Sequence, residues 1–381
     1  MLVYSSRKGF AIGSTGTSES VPESMSLQGC GLDRLQWSDL FENPQSDDND
    51  VDVAEVGGDE VDKSSKKLTR QQKREQRQMK KINAAQKRKA KREQELHNAS
   101  ASTNSSTDIS HNPYDTKLKI KSVYSKILEL SKQEGNNASV DHKIIQYHSI
   151  ALYKSDLEHI LPEEWLCDNN ISFVYESICN LVIKEFAHSH EIYLLFPSLV
   201  QLFLHMPFDR SDPSILEAML PMKELKRSKL IFIPMNYIDD FQSVDMEGDN
   251  NGDHWFLCVL CLLNNKLYVY DSMYSEDDDD SLLFELCKRL QLCKGLISNQ
   301  RKIDIVKMNC AQQDNFDDCG VFLLMFTAIL VGRLIEGTDE EQDRDVSLDI
   351  KTERPDPLQG RLFIFNLIHQ LYRTQTRINR Q

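Results

Sequence analysis

The order of segments along the chain predicts an α+β fold. Apolar residues recur at helical spacing from Ile120 to Leu220, short apolar runs of strand length fall between Lys229 and Asp271, and helical spacing returns from Asp280 onward. Helices, then a strand cluster, then helices again is not the alternation that builds a doubly wound parallel sheet.

Ile120, Val123, Tyr124, Ile127, Leu128 and Leu130 lie on one helical stripe, after which the chain reads as a loop. Ser149–Ile160 leads into Leu161-Pro162-Glu-Glu-Trp165-Leu-Cys-Asp168. There Asp168 reads as the N-cap of a helix whose stripe is Ile171, Val174, Tyr175, Ile178, Leu181 and Val182. Further helical segments run from Phe196 to Met206 and near Ile215–Leu220. Lys229–Met235 and Trp255–Leu263 read as strands, and Asn264-Asn265 reads as a two-residue hairpin turn into Lys266–Asp271. A helix from Asp280 to Leu292, a strand at Ile303–Met308, a helix from Cys319 and a last amphipathic helix at Leu362–Tyr372 complete the pattern.

Composition divides the chain into residues 1–115, 116–144 and 145–381. The first part lacks a sustained apolar pattern and reads as a disordered extension. Asp39–Asp62 holds ten acidic residues and no basic one, whereas Lys63–Arg92 holds fourteen basic residues against Glu75 alone. Adjacent blocks of opposite sign mark solvated segments with interaction roles. Residues 63–96 are good helix formers with almost nothing to bury. Lys87–Arg92 fits a nuclear localisation patch, a nucleic-acid contact or a charged tether. A net charge of −14 argues against a protein that coats nucleic acid, so any such contact is an accessory of 63–92. Residues 116–144 read as a helix and linker, and one core of roughly 230–260 residues is large enough to fold without staples.

Nine cysteines without small-scaffold spacing fit a reducing compartment. The pair Cys258 and Cys261 would point to opposite faces of a strand, which suits neither a zinc knuckle nor a redox pair. No histidine cluster or glycine-rich phosphate loop implies a metal or a cofactor. With no apolar leader and no long apolar stretch, the expectation is a soluble protein of the nucleus or cytoplasm, off the membrane.

The chemistry concentrates in Cys310-Ala-Gln-Gln313-Asp-Asn-Phe-Asp-Asp-Cys319-Gly. A thiol at a helix start meets unsatisfied N–H groups and the positive end of the helix dipole. Upstream, His254 can take its proton, Asp271 can fix the imidazole tautomer, and the Gln313 amide can donate to a developing oxyanion. Each residue has a plainer reading: a buried core cysteine, a strand-end histidine, a turn-forming aspartate. Asp317 and Asp318 oppose thiolate formation unless they point away. The ideal hairpin also fails to join the dyad. With a two-residue turn Asp271 falls opposite Cys258, four residues from His254, so contact requires a bulge or a shifted register.

His254-Trp255, Asp271, and Gln313 six residues before an acidic-Cys319-Gly320 resemble, in this order, the ubiquitin-like-protein proteases of the SUMO/sentrin type. Trp165-Leu-Cys-Asp168 resembles the Trp-Leu-x-Asp segment of that family, with Cys167 in place of the usual Asn. The resemblance spans roughly residues 145–340 and implies a papain-like cysteine protease fold, a central mainly antiparallel sheet flanked by helices. It implies Cys319 as nucleophile, His254 as general base, Asp271 as orienting acid and Gln313 as oxyanion donor. Trp165 and Trp255 would wall a tunnel for a modifier's Gly-Gly tail, and Asp168 would pair with a basic residue on the modifier.

The stretch Asn236–Asp253, with Phe196–Phe203 and Pro221–Ile233, resembles the deneddylase branch, whose enzymes remove the neddylation modifier from cullins and other targets. The long N-terminal extension is more familiar on SUMO proteases, which keeps desumoylation as the alternative. A silent modifier-binding module and a nucleic-acid contact through 63–92 are the readings from other classes. The expected state is a monomer without cofactor or metal.

Overall fold

Short β-branched and aromatic runs become strands here, and long apolar stripes become the helices that cover them. The computed structural model describes residues 112–133, 141–186, 188–209, 212–237, 254–275, 280–297, 302–336 and 348–379. The acidic block 39–62, the basic segment 63–96 and most of the Asn236–Asp253 stretch lie outside the described residues.

In chain order the elements are α1 (Pro113–Gln133), β1 (Lys143–Tyr147), β2 (Ile150–Tyr153), α2 (Lys154–Glu158), α3 (Asp168–Leu181), β3 (Ile192–Leu194) and α4 (Pro197–His205). There follow α5 (Ser214–Met219), α6 (Met222–Leu225), β4 (Leu230–Tyr237), β5 (His254–Cys261), β6 (Lys266–Tyr270), α7 (Ser281–Leu292), β7 (Asp304–Lys307), α8 (Cys319–Glu336) and α9 (Pro357–Asn379). Where a loop and the start of the helical Ser149–Ile160 segment were expected, β1 and β2 form a separate antiparallel hairpin. The three-residue β3 is too short to announce itself by periodicity.

The main sheet has the order β3-β4-β5-β6-β7. Its centre, β4-β5-β6, is antiparallel as expected, but both edges pair in parallel, so the sheet is mixed. The reason lies in the connections. α4, α5 and α6 carry the chain from β3 to β4, and α7 carries it from β6 to β7, which are crossovers rather than hairpins.

Two apolar layers sandwich this sheet. Trp255, Leu257, Val259 and Cys261 of β5 face the cluster containing α3, α8 and α9. Phe256, Cys258 and Leu260 face the cluster containing α4, α5 and α7. The two cysteines of the C-x-x-C thus lie in opposite cores. Ile120 and Ile127 of α1 are fully buried, and Tyr124 meets Phe365 of α9 edge-on at 5.9 Å.

Candidate active site

Cys319 is the first residue of α8, and what holds it there begins with glycines. A Cβ on Gly320 would lie 2.9 Å from Leu166 Cβ, so glycine is what lets the Trp165-Leu166 segment touch the helix start. The Leu166 carbonyl in turn accepts the indole N–H of Trp255 at 3.0 Å. Three motifs that the sequence relates only by order therefore meet at one point. Trp255 is fully buried and Trp165 half-buried. Of the two expected tunnel residues, Trp255 is a core side chain, and Trp165 adjoins Leu166, which touches the cysteine helix.

His254 and Asp271 are in contact, Nε2 to Oδ1, at 2.6 Å. The expected two-residue turn is replaced by a four-residue one, Leu262–Asn265, closed by the pair Cys261↔Lys266. Leu263 is 73% exposed and Asn265 takes φ +55°, a left-handed conformation that asparagine tolerates. The new turn slides the register by two residues. Leu257 now pairs Tyr270, which brings Asp271 level with Phe256, one diagonal step from His254 on the same face. Phe256 stacks on the imidazole with centroids 6.1 Å apart.

The Asp271 carboxylate also accepts the Met273 N–H at 2.8 Å, so it forms the local turn and holds the imidazole at once. Burial pulls the His254 pKa down. The Asp271 charge and hydrogen bond, joined by a hydrogen bond with the Cys319 thiol, outweigh that pull and lift it to about 10. Cys319, His254 and Asp271 form a contiguous row.

Gln313 is buried in the loop that ends at Cys319. Its backbone N–H bonds the Ser272 carbonyl at 2.8 Å, and the Ser272 hydroxyl donates to Oε1 at 2.6 Å. Nε2 donates to the Asn315 carbonyl at 2.9 Å, so one amide hydrogen is directed into its own loop.

Asp168 is not the N-cap expected. The N-cap is Cys167, with Asn170 Oδ1 accepting the Cys167 N–H at 3.1 Å, and Asp168 is the first helical residue. A four-atom side chain at Asn170 reaches back where an N-cap aspartate would have reached forward. Burial raises the Asp168 carboxyl from 3.8 to about 6, partly offset by its own backbone N–H. Burial likewise pushes the Cys167 thiol up to about 12, helped by the Asp156 charge.

The sequence reading missed Arg361, on α9. Its side chain is fully buried, and it donates from Nε at 3.0 Å and Nη2 at 2.7 Å to Asp318 Oδ1. Nη2 also reaches the carbonyls of Asp317 at 2.9 Å and Glu164 at 2.8 Å, and Nη1 reaches those of Leu161 at 2.8 Å and Ile160 at 3.3 Å. The available signal was an arginine in register with Ile364, Phe365 and Ile368, all buried on the apolar stripe of its helix. The second oxygen of Asp318 accepts Asn315 Nδ2 at 2.6 Å. The acidic residue beside the cysteine is therefore turned to a cation, and the conflict expected from Asp317-Asp318 is met at Asp318.

A helix-borne cysteine against a sheet that carries a histidine–aspartate pair defines a cysteine-peptidase arrangement. Residues 164–353 match the Ulp1 protease family, C-terminal catalytic domain, and the chain belongs to that family. The NEDD8-specific protease 2 of Schizosaccharomyces pombe is 30% identical over 194 residues, 50% of this chain and 42% of that protein. The NEDD8-specific protease 1 of the same organism is 28% identical over 193 residues, with the same coverage. The probable sentrin-specific protease 8 of Dictyostelium discoideum is 24% identical over 217 residues, 55% of this chain and 84% of that protein. The chain spans less than half the length of its two fission-yeast relatives. Arg361 lies beyond the matched residues.

Proposed function

We propose that this chain is a thiol isopeptidase that cleaves after the C-terminal Gly-Gly of a ubiquitin-like modifier, and that the modifier is the NEDD8 type. The contact of His254 with Asp271 beside Cys319 carries the reaction class. The two fission-yeast relatives, both NEDD8-specific proteases, support the choice of modifier.

The Cys319 sulfur attacks the carbonyl carbon of the terminal glycine, and its proton resides on His254. Asp271 holds the imidazole and stabilises its positive form. Charge develops on the carbonyl oxygen, where N–H groups at the start of α8 and the Gln313 amide are the candidate donors. For Gln313 to serve, its second amide hydrogen must face the oxygen while the first stays on Asn315. The C–N bond breaks, the departing amine takes the proton from His254, and a thioester remains on Cys319. Water, deprotonated by His254, then releases the modifier's carboxylate.

Trp165 and Trp255 confine a side-chain-free tail, and Asp168 offers a carboxylate to a basic residue of the modifier. Cullin conjugates are substrates of this chemistry. The enzyme works as a monomer without metal or cofactor, in the nucleus or cytoplasm, with residues 63–92 as an accessory tether. The test is parallel incubation of the chain and Cys319→Ala with C-terminally electrophilic NEDD8, SUMO and ubiquitin. Capture of NEDD8 alone, lost in the variant, is the expected outcome. Capture of SUMO instead would replace the modifier and keep the mechanism, and no capture at all would sink the peptidase reading.

A further inference from the structure

We propose that Arg361 is a positioning residue for the reactive thiol, holding the Asp318 carboxylate off the start of α8 and fixing the turn that carries Trp165 against it. The inference rests on Cys319 being the nucleophile.

The first half follows from where Asp318 sits. Its carbonyl accepts the Phe322 N–H at 2.9 Å, the first bond of the helix, so Asp318 occupies the N-cap position. An aspartate there ordinarily turns its carboxylate onto the N–H of the second or third helical residue. That would occupy a donor at the site and set a negative charge beside the thiol. Here both oxygens are engaged elsewhere, Oδ1 by Arg361 and Oδ2 by Asn315. Among the described residues, no N–H of Gly320 or Val321 bonds that carboxylate. The positive end of α8 is thus left to the thiol and to the oxygen it will create.

The second half follows from the other hydrogen bonds. Ile160, Leu161 and Glu164 are the turn that leads directly into Trp165-Leu166, and Leu166 touches Gly320. One planar guanidinium therefore ties the Ile160–Glu164 turn to the loop before Cys319. Gly360 makes this possible, because a Cβ there would meet Val321 Cγ1 at 2.7 Å and hold α9 away from α8. A lysine has the charge without the fork and cannot hold both sides. Stability alone does not account for the arrangement, since a buried ion pair is often no better than an apolar packing of the same volume.

The test compares Arg361→Gln, Asp318→Asn and Arg361→Lys with the full wild-type chain. Alkylation of Cys319 by iodoacetamide, followed by peptide mass, reads the thiol alone. Turnover of a C-terminally extended NEDD8 precursor gives kcat and KM, and thermal unfolding records stability. Arg361→Gln should alkylate roughly tenfold more slowly, because Asp318 keeps its charge and loses its partner. Asp318→Asn, also destabilised, should alkylate at least as fast as wild type. Arg361→Lys should keep the alkylation rate while KM rises roughly tenfold, as the Trp165 turn loosens. A merely structural arginine would move alkylation in the same direction in Arg361→Gln and Asp318→Asn, and that result overturns the proposal. So would wild-type alkylation and KM in every folded variant. If Arg361→Gln does not fold, Asp318→Asn and Arg361→Lys still decide the question. Failure of wild type to turn over any modifier would instead defeat the functional reading, which the alkylation rates leave separately visible.

Discussion

Two buried arginines lie on opposite sides of the central sheet, and their surroundings differ in an instructive way. Arg289, under the α4–α5–α7 layer, donates to the carbonyls of Phe203 at 2.7 Å and Met206 at 2.8 Å, ending α4. Its anionic partner, Glu285, is one turn away on its own helix at 2.8 Å, and its guanidinium rides 4.8 Å above the Phe208 ring. Arg361, under the α3–α8–α9 layer, draws every partner from distant chain, including the residue before Cys319. Both satisfy buried backbone carbonyls. Only one of them touches the segment that leads into Cys319.

That contrast is sharpened first by replacing each arginine with glutamine. Arg361→Gln leaves Asp318 buried without its cation and should cost about 3–5 kcal/mol of stability as well as activity. Arg289→Gln leaves a half-exposed Glu285 that water can solvate, and should cost about 1–2 kcal/mol with kcat intact. Chemical unfolding and turnover, measured together, check both. Equal losses of kcat would dissolve the distinction between the two layers.

The two close-packed glycines offer a smaller perturbation. Gly320→Ala and Gly360→Ala each force a methyl into contact, against Leu166 and Val321 respectively, for a cost of about 1–3 kcal/mol. Gly320→Ala should also lower kcat/KM, since it pushes the Trp165 segment from the helix start. An unchanged kcat/KM would mean that this contact is packing only.

The smallest effect concerns the second helix-start aspartate. Unlike Asp318, Asp168 has no cationic side chain paired with it among the described residues. Its carboxyl titrates at about 6 in the folded chain against an ordinary 3.8, so the native state keeps a proton that the unfolded state has released. Its contribution to stability therefore declines as pH rises from 3.8 to about 6 and remains a penalty above that. Asp168→Asn should be more stable than wild type at pH 7 by about 1 kcal/mol after solvent screening, equal at pH 3, and weaker for the modifier. Unfolding curves at the two pH values and a modifier titration test this.

Much of the candidate site's placement was legible because its residues lie in short motifs on strong elements. α8 is apolar enough to announce itself, and Trp255, His254 and Cys319 stand at element boundaries that periodicity marks. The hairpin was misread because Leu262 and Leu263 look like strand residues, while the structure spends them on a turn. Hydrophobicity cannot tell a strand end from an exposed leucine. β3 and the β1–β2 hairpin are too short for a period-two pattern to be distinctive. Arg361 was invisible for another reason: its partner Leu161 is 200 residues away, and no local rule connects them.

That separation has a consequence in time. Contacts between chain segments so far apart close late in folding, after local helices and hairpins have formed. During synthesis Cys319 and the His254–Asp271 pair emerge before Arg361, the buried partner of Asp318. A nascent chain should therefore present Cys319, His254 and Asp271 while Asp318 still lacks its cation, and complete this corner of the fold only when α9 docks.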